Sequence, residues 1–226
     1  MRLVLLGLPG AGKGTQGELL SEELDVPHIS TGAMFREAIK AGGPLGETAR
    51  TYIERGELVP DEVSIEIVKE RLSQPDCEQG FILDGFPRTV PQAVALDRTL
   101  PTLGMELDAA VDIEITEAEA VRRISERMIC SQCGATYNRA IHTVSQSDRC
   151  LECGGLLIRR PDDTVETARN RLAIYMEQTH PVVHYYAERG MLLTVDGERP
   201  IEEVFAAILS QLKAWRFGRS SGEEAR

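Results

Sequence analysis

The chain opens on an unbroken apolar run, Leu3-Val4-Leu5-Leu6, and then turns at once into glycine. A short continuous apolar run ended by a turn signal is the pattern of a strand buried on both faces. It recurs at Phe81-Ile82-Leu83, which ends in Asp84-Gly85, while Ala109 to Ile115 reads as a fourth, longer strand and Leu192-Leu193-Thr194-Val195 as a last one. Val26-Pro27-His28-Ile29-Ser30 reads as a further short strand. Between these runs the spacing predicts helices over 13–24, 31–41, 47–55, 61–73, 89–98, 117–127 and 201–215, with Asp61 as the N-cap of the fourth. Residues 164–188 read as one long helix that Pro181 should bend. Strands alternating with helices predict an α/β fold, a parallel five-stranded sheet with helices on both faces. Ligands of such sheets lie beyond the carboxyl ends of the strands. Gly7, Ser30 and Asp84 all stand at those ends and should converge on one crevice.

The first of these strand ends carries chemistry. Residues 7–15 read Gly-Leu-Pro-Gly-Ala-Gly-Lys-Gly-Thr, a phosphate loop between a strand and a helix. Glycines let the backbone curl so that several N–H groups face one anion, and the next helix turns its positive end to the same point. Lys13 adds a mobile charge for the outer phosphates. The loop departs from the common form in one place: Gly14 follows the lysine and the hydroxyl comes on Thr15.

The alternation is interrupted after residue 127. Cys130-Ser-Gln-Cys133 and Cys150-Leu-Glu-Cys153 are two C-x-x-C pairs with 16 residues between them, the spacing of a zinc ribbon. Gly134 and Gly154-Gly155 permit the two tight knuckles. A redox dithiol would not need a matched second pair, and disulfides are disfavoured in the cytosol. The metal expected is a structural Zn²⁺ with no open position for a substrate. His142 fits no knuckle, and Cys77 reads as a plain small residue near a helix end.

Composition narrows the partners. The chain has 226 residues, 42% of them apolar, enough for one large domain with insertions. No apolar run approaches the length of a membrane span, and the N-terminal run is too short for a signal peptide. A cytosolic protein with no membrane partner is expected. The formal net charge of −11 argues against nucleic acid, and residues 130–153 hold only Arg139 and Arg149 as cations. Residues 216–226 read as a disordered tail.

Arginines recur beside the strand ends and the cysteine segment: Arg36, Arg88, Arg123, Arg127, Arg160 and Arg171. Arg123 and Arg127 are expected one helical turn apart on one face. Asp84, at the end of a buried strand, can orient the waters of a Mg²⁺ bound to a triphosphate. Asp162 and Asp163 can cap the long helix or act beside the metal. His28, His180 and His184 have no visible partner.

Taken together, the segments 7–16, Ile-Ser-Thr-Gly at 29–32, Gly-Phe-Pro-Arg at 85–88 with Gln92, the four cysteines, and Arg-Pro-Asp-Asp at 160–163 resemble adenylate kinases of the long bacterial form. The Gly-Thr ending of the phosphate loop is the form found in nucleoside monophosphate kinases. The resemblance runs from Met1 to about Leu212. It implies the reaction ATP + AMP ⇌ 2 ADP with Mg²⁺, carried out by a monomer. It implies core segments at 1–29, 60–126 and 165–215, a helical AMP-binding flap at 30–59 and a zinc-bearing lid at 127–164. ATP would meet Gly10, Ala11, Gly12, Lys13, Gly14 and Thr15, with Arg127, Thr136, Tyr137 and Arg199. AMP would meet Thr31, Arg36, Glu57, Leu58, Val59, Gly85, Phe86, Pro87, Arg88 and Gln92. Arg160 and Arg171 would lie between the nucleotides. The catalytic charge would come from Lys13, Arg88, Arg123, Arg127, Arg160 and Arg171, with Asp84 beside the metal. Where the family commonly has Asp, Ala33 follows Ile-Ser-Thr-Gly, which removes a local hydrogen bond near the flap hinge. A kinase for UMP, CMP or GMP is the alternative. Thr31 and Gln92 favour adenine, whose edge an amide can pair.

Overall fold

The computed structural model describes residues 1–138, 148–160 and 163–223, the last eight of them by backbone alone. His142 and Asp162 lie outside the described residues. Strands β1 (Arg2–Leu6), β2 (His28–Ser30), β3 (Phe81–Asp84), β4 (Ala109–Glu114) and, late in the chain, a strand at Leu192–Asp196 form one parallel sheet. Helices α1 (Lys13–Leu24), α2 (Thr31–Ala41), α3 (Pro44–Ile53), α4 (Asp61–Leu72), α5 (Val90–Thr102) and α6 (Glu117–Ser125) connect its earlier strands. A small antiparallel sheet of β5 (Arg127–Cys130), β6 (Thr136–Asn138) and β7 (Leu157–Arg159) follows. Then come α7 (Val165–Ile174), a π-turn at Tyr175–Thr179, α8 (His180–Ala187), the Leu192–Asp196 strand as β8, and α9 (Ile201–Glu223). The parallel sheet has the order β2-β3-β1-β4-β8.

Both faces of the sheet are covered, as the unbroken apolar runs require. Val4, Leu6, Leu83 and Ala110 face Val68 and Leu72 of α4, Leu96 of α5 and Tyr186 of α8. Leu3, Leu5, Ile82, Val111 and Ile113 face Leu20 of α1 and Ile208 and Leu212 of α9. Truncating such a side chain to alanine costs ~2–5 kcal/mol, so the two cores hold the strand ends in place. The register sets Leu5 beside Asp84 and Leu6 beside Asp112. The carboxyl ends of β1 and β3 therefore open side by side next to Asp112, while β4 runs on to Glu114.

Several local expectations change. Pro60, not Asp61, holds the N-cap position of α4, with no side-chain cap bond. The Asp61 carboxylate instead accepts from Thr89 Oγ1 (2.9 Å) and Gln92 Nε2 (2.7 Å), two side-chain donors that the packing of α5 against α4 brings to it. α6 ends at Ser125, so Arg123 and Arg127 do not share a helical face; Arg127 opens a strand. The expected long helix is split by the π-turn that ends just before Pro181, where the missing N–H breaks the regular ladder. α9 runs on to Glu223 through the stretch expected to be disordered from 216. Extending an existing helix needs only propagation, and no proline interrupts these residues. Among the described residues no helix is long and apolar enough to cross a membrane.

Candidate active site

The site begins where β1 stops. Gly7 takes φ 133°, and a Cβ there would stand 2.5 Å from the Ile113 carbonyl oxygen, so only glycine lets the loop leave beside β4. Gly12 is the N-cap of α1, in the left-handed region at φ 96°, and makes no side-chain cap. The first turn of α1 also carries no acidic residue. Its N–H groups are thus left for an anion, with the positive end of the helix behind them. Lys13 Nζ donates to the loop's own carbonyls, Gly7 at 2.7 Å and Leu8 at 2.9 Å. Burial pushes the Lys13 amine down to about 8, with Arg88 and Arg127 adding to the shift and Asp84 and Asp112 opposing it.

The loop is one wall of a crevice of about 790 Å³. Gly10 to Thr15, Thr31, Arg36, Glu57, Leu58, Val59, Asp84, Gly85, Pro87, Arg88 and Gln92 line it. So do Arg123, Arg127, Thr136, Tyr137, Arg160, Arg171 and Arg199 from the later elements. Phe86 does not: it is 2% exposed and its ring packs in the core, where an apolar side chain gains most.

The floor is a network of strand-end groups. Asp84 Oδ2 stands 3.8 Å from His28 Nε2. Burial would raise the Asp84 carboxyl, but His28, Lys13 and Arg88 outweigh it and hold it below the usual carboxylate range. Thr31 Oγ1 and Arg88 Nε both donate to the Gly85 carbonyl at 2.8 Å. Arg88 N donates to Gln92 Oε1 at 2.7 Å, and Gln92 passes the network on to Asp61. These two bonds fix the orientation of the Gln92 amide at the wall of the crevice. Beside the loop, Asp112 is 5% exposed and its Oδ1 has no hydrogen-bond partner among the described residues. Burial pushes its carboxyl up to about 6, helped by Glu114 and opposed by Lys13.

The arginines gather around a second carboxylate. Asp163, its side chain 1% exposed, accepts from Arg127 Nε (2.7 Å) and Nη2 (2.6 Å) and from Arg171 Nη1 (3.0 Å). Arg160 Nε lies 4.0 Å from it. The helix cap expected of this acidic pair is supplied by Thr164, whose Oγ1 accepts from Thr167 N. Arg123 is held by Glu119 Oε1 (2.6 Å) and the Gly197 carbonyl (2.9 Å), and Arg199 by Asp196 at the rim. Next to Arg171, Asn170 Nδ2 donates to the Arg55 carbonyl at 2.6 Å, which ties the turn after α3 to α7. His28, Asp61, Asp112, Asn170 and the anchoring role of Asp163 were not visible in the sequence, because each depends on a partner 28 or more residues away or on burial alone.

The four cysteines meet at the far side of the small sheet. Their sulfurs all lie within 4.8 Å of one another, with Cys130 and Cys153 at 3.4 Å and Cys133 and Cys150 at 3.5 Å. A tetrahedral zinc site with bonds of ~2.3 Å puts its sulfurs about 3.8 Å apart, so the set is compatible with zinc. Cys77 stands elsewhere, fully buried, with Arg71 Nη1 3.1 Å from its sulfur.

Comparison with known proteins gives one answer. The sequence profile of the family described as adenylate kinase matches residues 5–191. A protein named adenylate kinase from Moorella thermoacetica is 54% identical over 208 residues, covering 92% of this chain and 96% of its own length. Others of that name are 49% identical: one from Methanocella arvoryzae over 94% of this chain and 99% of its own, and one from Archaeoglobus fulgidus over 95% and 100%.

Proposed function

The chain belongs to the adenylate kinase family, and from that premise we propose how its residues carry the family's reaction, reversible phosphoryl transfer from ATP to AMP giving two ADP. The supporting observation is convergence: an uncapped helix N-terminus, a lysine and the arginine cluster border one crevice.

In this reading residues 10–15 cradle the triphosphate, and Arg127, Thr136, Tyr137 and Arg199 contact ATP from the other wall. Thr31, Arg36, residues 57–59, the 85–88 turn and Gln92 form the AMP half, with Arg160 and Arg171 between the two. Phosphoryl transfer needs in-line positioning and positive charge more than covalent help. Lys13 exchanges the carbonyls of Gly7 and Leu8 for phosphate oxygens and follows the moving group. Arg88, Arg123, Arg127, Arg160 and Arg171 surround the charge that develops on it. Asp84, ionised at neutral pH beside the loop, is the fitting group for the water shell of Mg²⁺, which when bound neutralises phosphate charge. The segments 30–59 and 127–164 act as flap and lid that exclude water, so that ATP is transferred and not hydrolysed. The four thiolates hold one structural Zn²⁺ that folds the lid and leaves no position for substrate. One chain supplies every group, so a monomer suffices, and a reducing cytoplasm keeps the thiols available.

A coupled assay of ADP formation from Mg·ATP with AMP, UMP, CMP and GMP in turn tests the acceptor half. AMP should be turned over best. Equal turnover of UMP or GMP would overturn the roles given to Thr31 and Gln92.

A further inference from the structure

We propose that Tyr137 is a positioning residue that ties the metal cage to the nucleotide crevice, so that metal retention and ATP binding are energetically coupled through it. This rests on reading the four thiols as a zinc cage.

Tyr137 stands in the middle of β6, 5% exposed, packed with Met128, Cys130, Cys150 and Leu157. It also lines the crevice. Its hydroxyl oxygen accepts the Leu151 N–H at 3.1 Å and lies 3.3 Å from Cys150 Sγ. A phenol has one hydrogen to give, and a metal-bound thiolate can only accept. With Leu151 on the oxygen's lone pair, the hydrogen goes to Cys150. A hydrogen bond to a ligating sulfur orients it and disperses its charge, which raises the site's hold on the metal. The same phenol also fixes the second knuckle, since Leu151 follows Cys150 directly.

The other end of this link is in the nucleotide site. β6 is three residues long. Thr136 lines the crevice, and Asn138 is the register partner of Arg127 and donates through Nδ2 to the Arg123 carbonyl at 3.1 Å. Cage and arginines are thus joined by one short strand whose central side chain is bonded to a metal ligand. A lost metal frees the knuckle and, with it, the anchor of Tyr137. Coupling between two binding events is reciprocal in affinity, so ATP on the lid must tighten metal binding by the same factor as metal tightens ATP binding, and slower metal loss is the expected sign of it.

Tyr137→Phe removes only the oxygen and is tested in the full chain. With Co²⁺ in place of zinc, the thiolate-to-metal charge-transfer band should shift relative to the parent. In the zinc form, transfer to a chromogenic chelator should run about tenfold faster in the variant. A non-hydrolysable ATP analogue should slow that transfer about fivefold in the parent and little in the variant. KM for ATP should rise while KM for AMP stays. Leu157→Ala loosens the same packing without touching the hydroxyl, and should speed zinc loss while leaving the cobalt band in place. An unmoved band with unchanged zinc transfer in Tyr137→Phe would overturn the proposal, as would an analogue effect equal in both proteins. A parent that takes up neither metal would overturn the cage reading and this inference together.

Discussion

Asp163 grips Arg127 with both carboxylate oxygens, at 2.7 and 2.6 Å, while exposing 1% of its own side chain. A buried carboxylate thus gathers the guanidinium groups of Arg127 and Arg171, which the proposed mechanism assigns to phosphates, with Arg160 close by. Asp163→Asn should leave these cations without their shared counter-charge. Removing one partner of a buried pair is costly, and for arginines that border an open crevice a loss of about 2 kcal/mol is expected. ADP should restore more of the melting temperature in the variant than in the parent, because its phosphates replace the missing carboxylate. Calorimetry with and without ADP measures both. A ligand-induced shift no larger than the parent's would contradict this.

Lys13→Ala should keep the fold and lose turnover by about 10³-fold or more, since charge contacts made in the transition state are worth ~3–4 kcal/mol or more. Steady-state kinetics with a circular dichroism control decides it. A loss within about tenfold would remove Lys13 from the reaction.

The same lysine should set the alkaline limit of ATP capture. Its folded-state pKa is lowered to about 8, so the charge is present below that value and is lost as pH rises through it. The profile of kcat/KM for Mg·ATP reports the free enzyme and should fall above about pH 8. A profile flat to pH 10 would count against it.

Asp112 makes an opposite kind of prediction. Its carboxyl is raised to about 6, above its unfolded value, so the folded chain holds the proton longer. Stability from this group is therefore present below about pH 4 and is lost as pH rises to about 6, on the order of 3 kcal/mol. Asp112→Asn should abolish that decline. Urea unfolding from pH 4 to 8 in both proteins tests it, and parallel curves would refute it.

Chelation with a thiol reagent should lower the melting temperature, because metal bound to the folded lid stabilises it by linkage. Turnover at low temperature should survive in part, since Lys13 and the arginines meet the phosphates. Metal analysis should find about one zinc per chain.

Much of this was legible in the sequence because it was local. A short apolar run closed by a turn signal reads as a strand buried on both faces, so β1 and β3, the mostly apolar β4 between them and β8, and the crevice at their ends followed. The phosphate loop and the paired C-x-x-C knuckles are likewise short-range patterns. What stayed hidden was set by tertiary partners. Asp61 looked like a cap because the spacing of 28 and 31 residues to Thr89 and Gln92 leaves no trace in a periodicity. Asp163 could not be seen as an anchor before β5 and α7 brought Arg127 and Arg171 to it. Phe86 sits inside a functional motif, but its ring answers to the core. The π-turn before Pro181 was not legible either, since a change from i→i+4 to i→i+5 bonding leaves no mark in the apolar pattern.

Helix α7 carries Asn170 and Arg171 side by side. The first holds the Arg55 carbonyl in the turn after α3, and the second meets Asp163, which grips Arg127 at the start of β5. The helix is an axle with two levers on adjacent spokes. The seating of this one helix is therefore shared by the turn at Arg55 and by the Arg127–Asp163 pair.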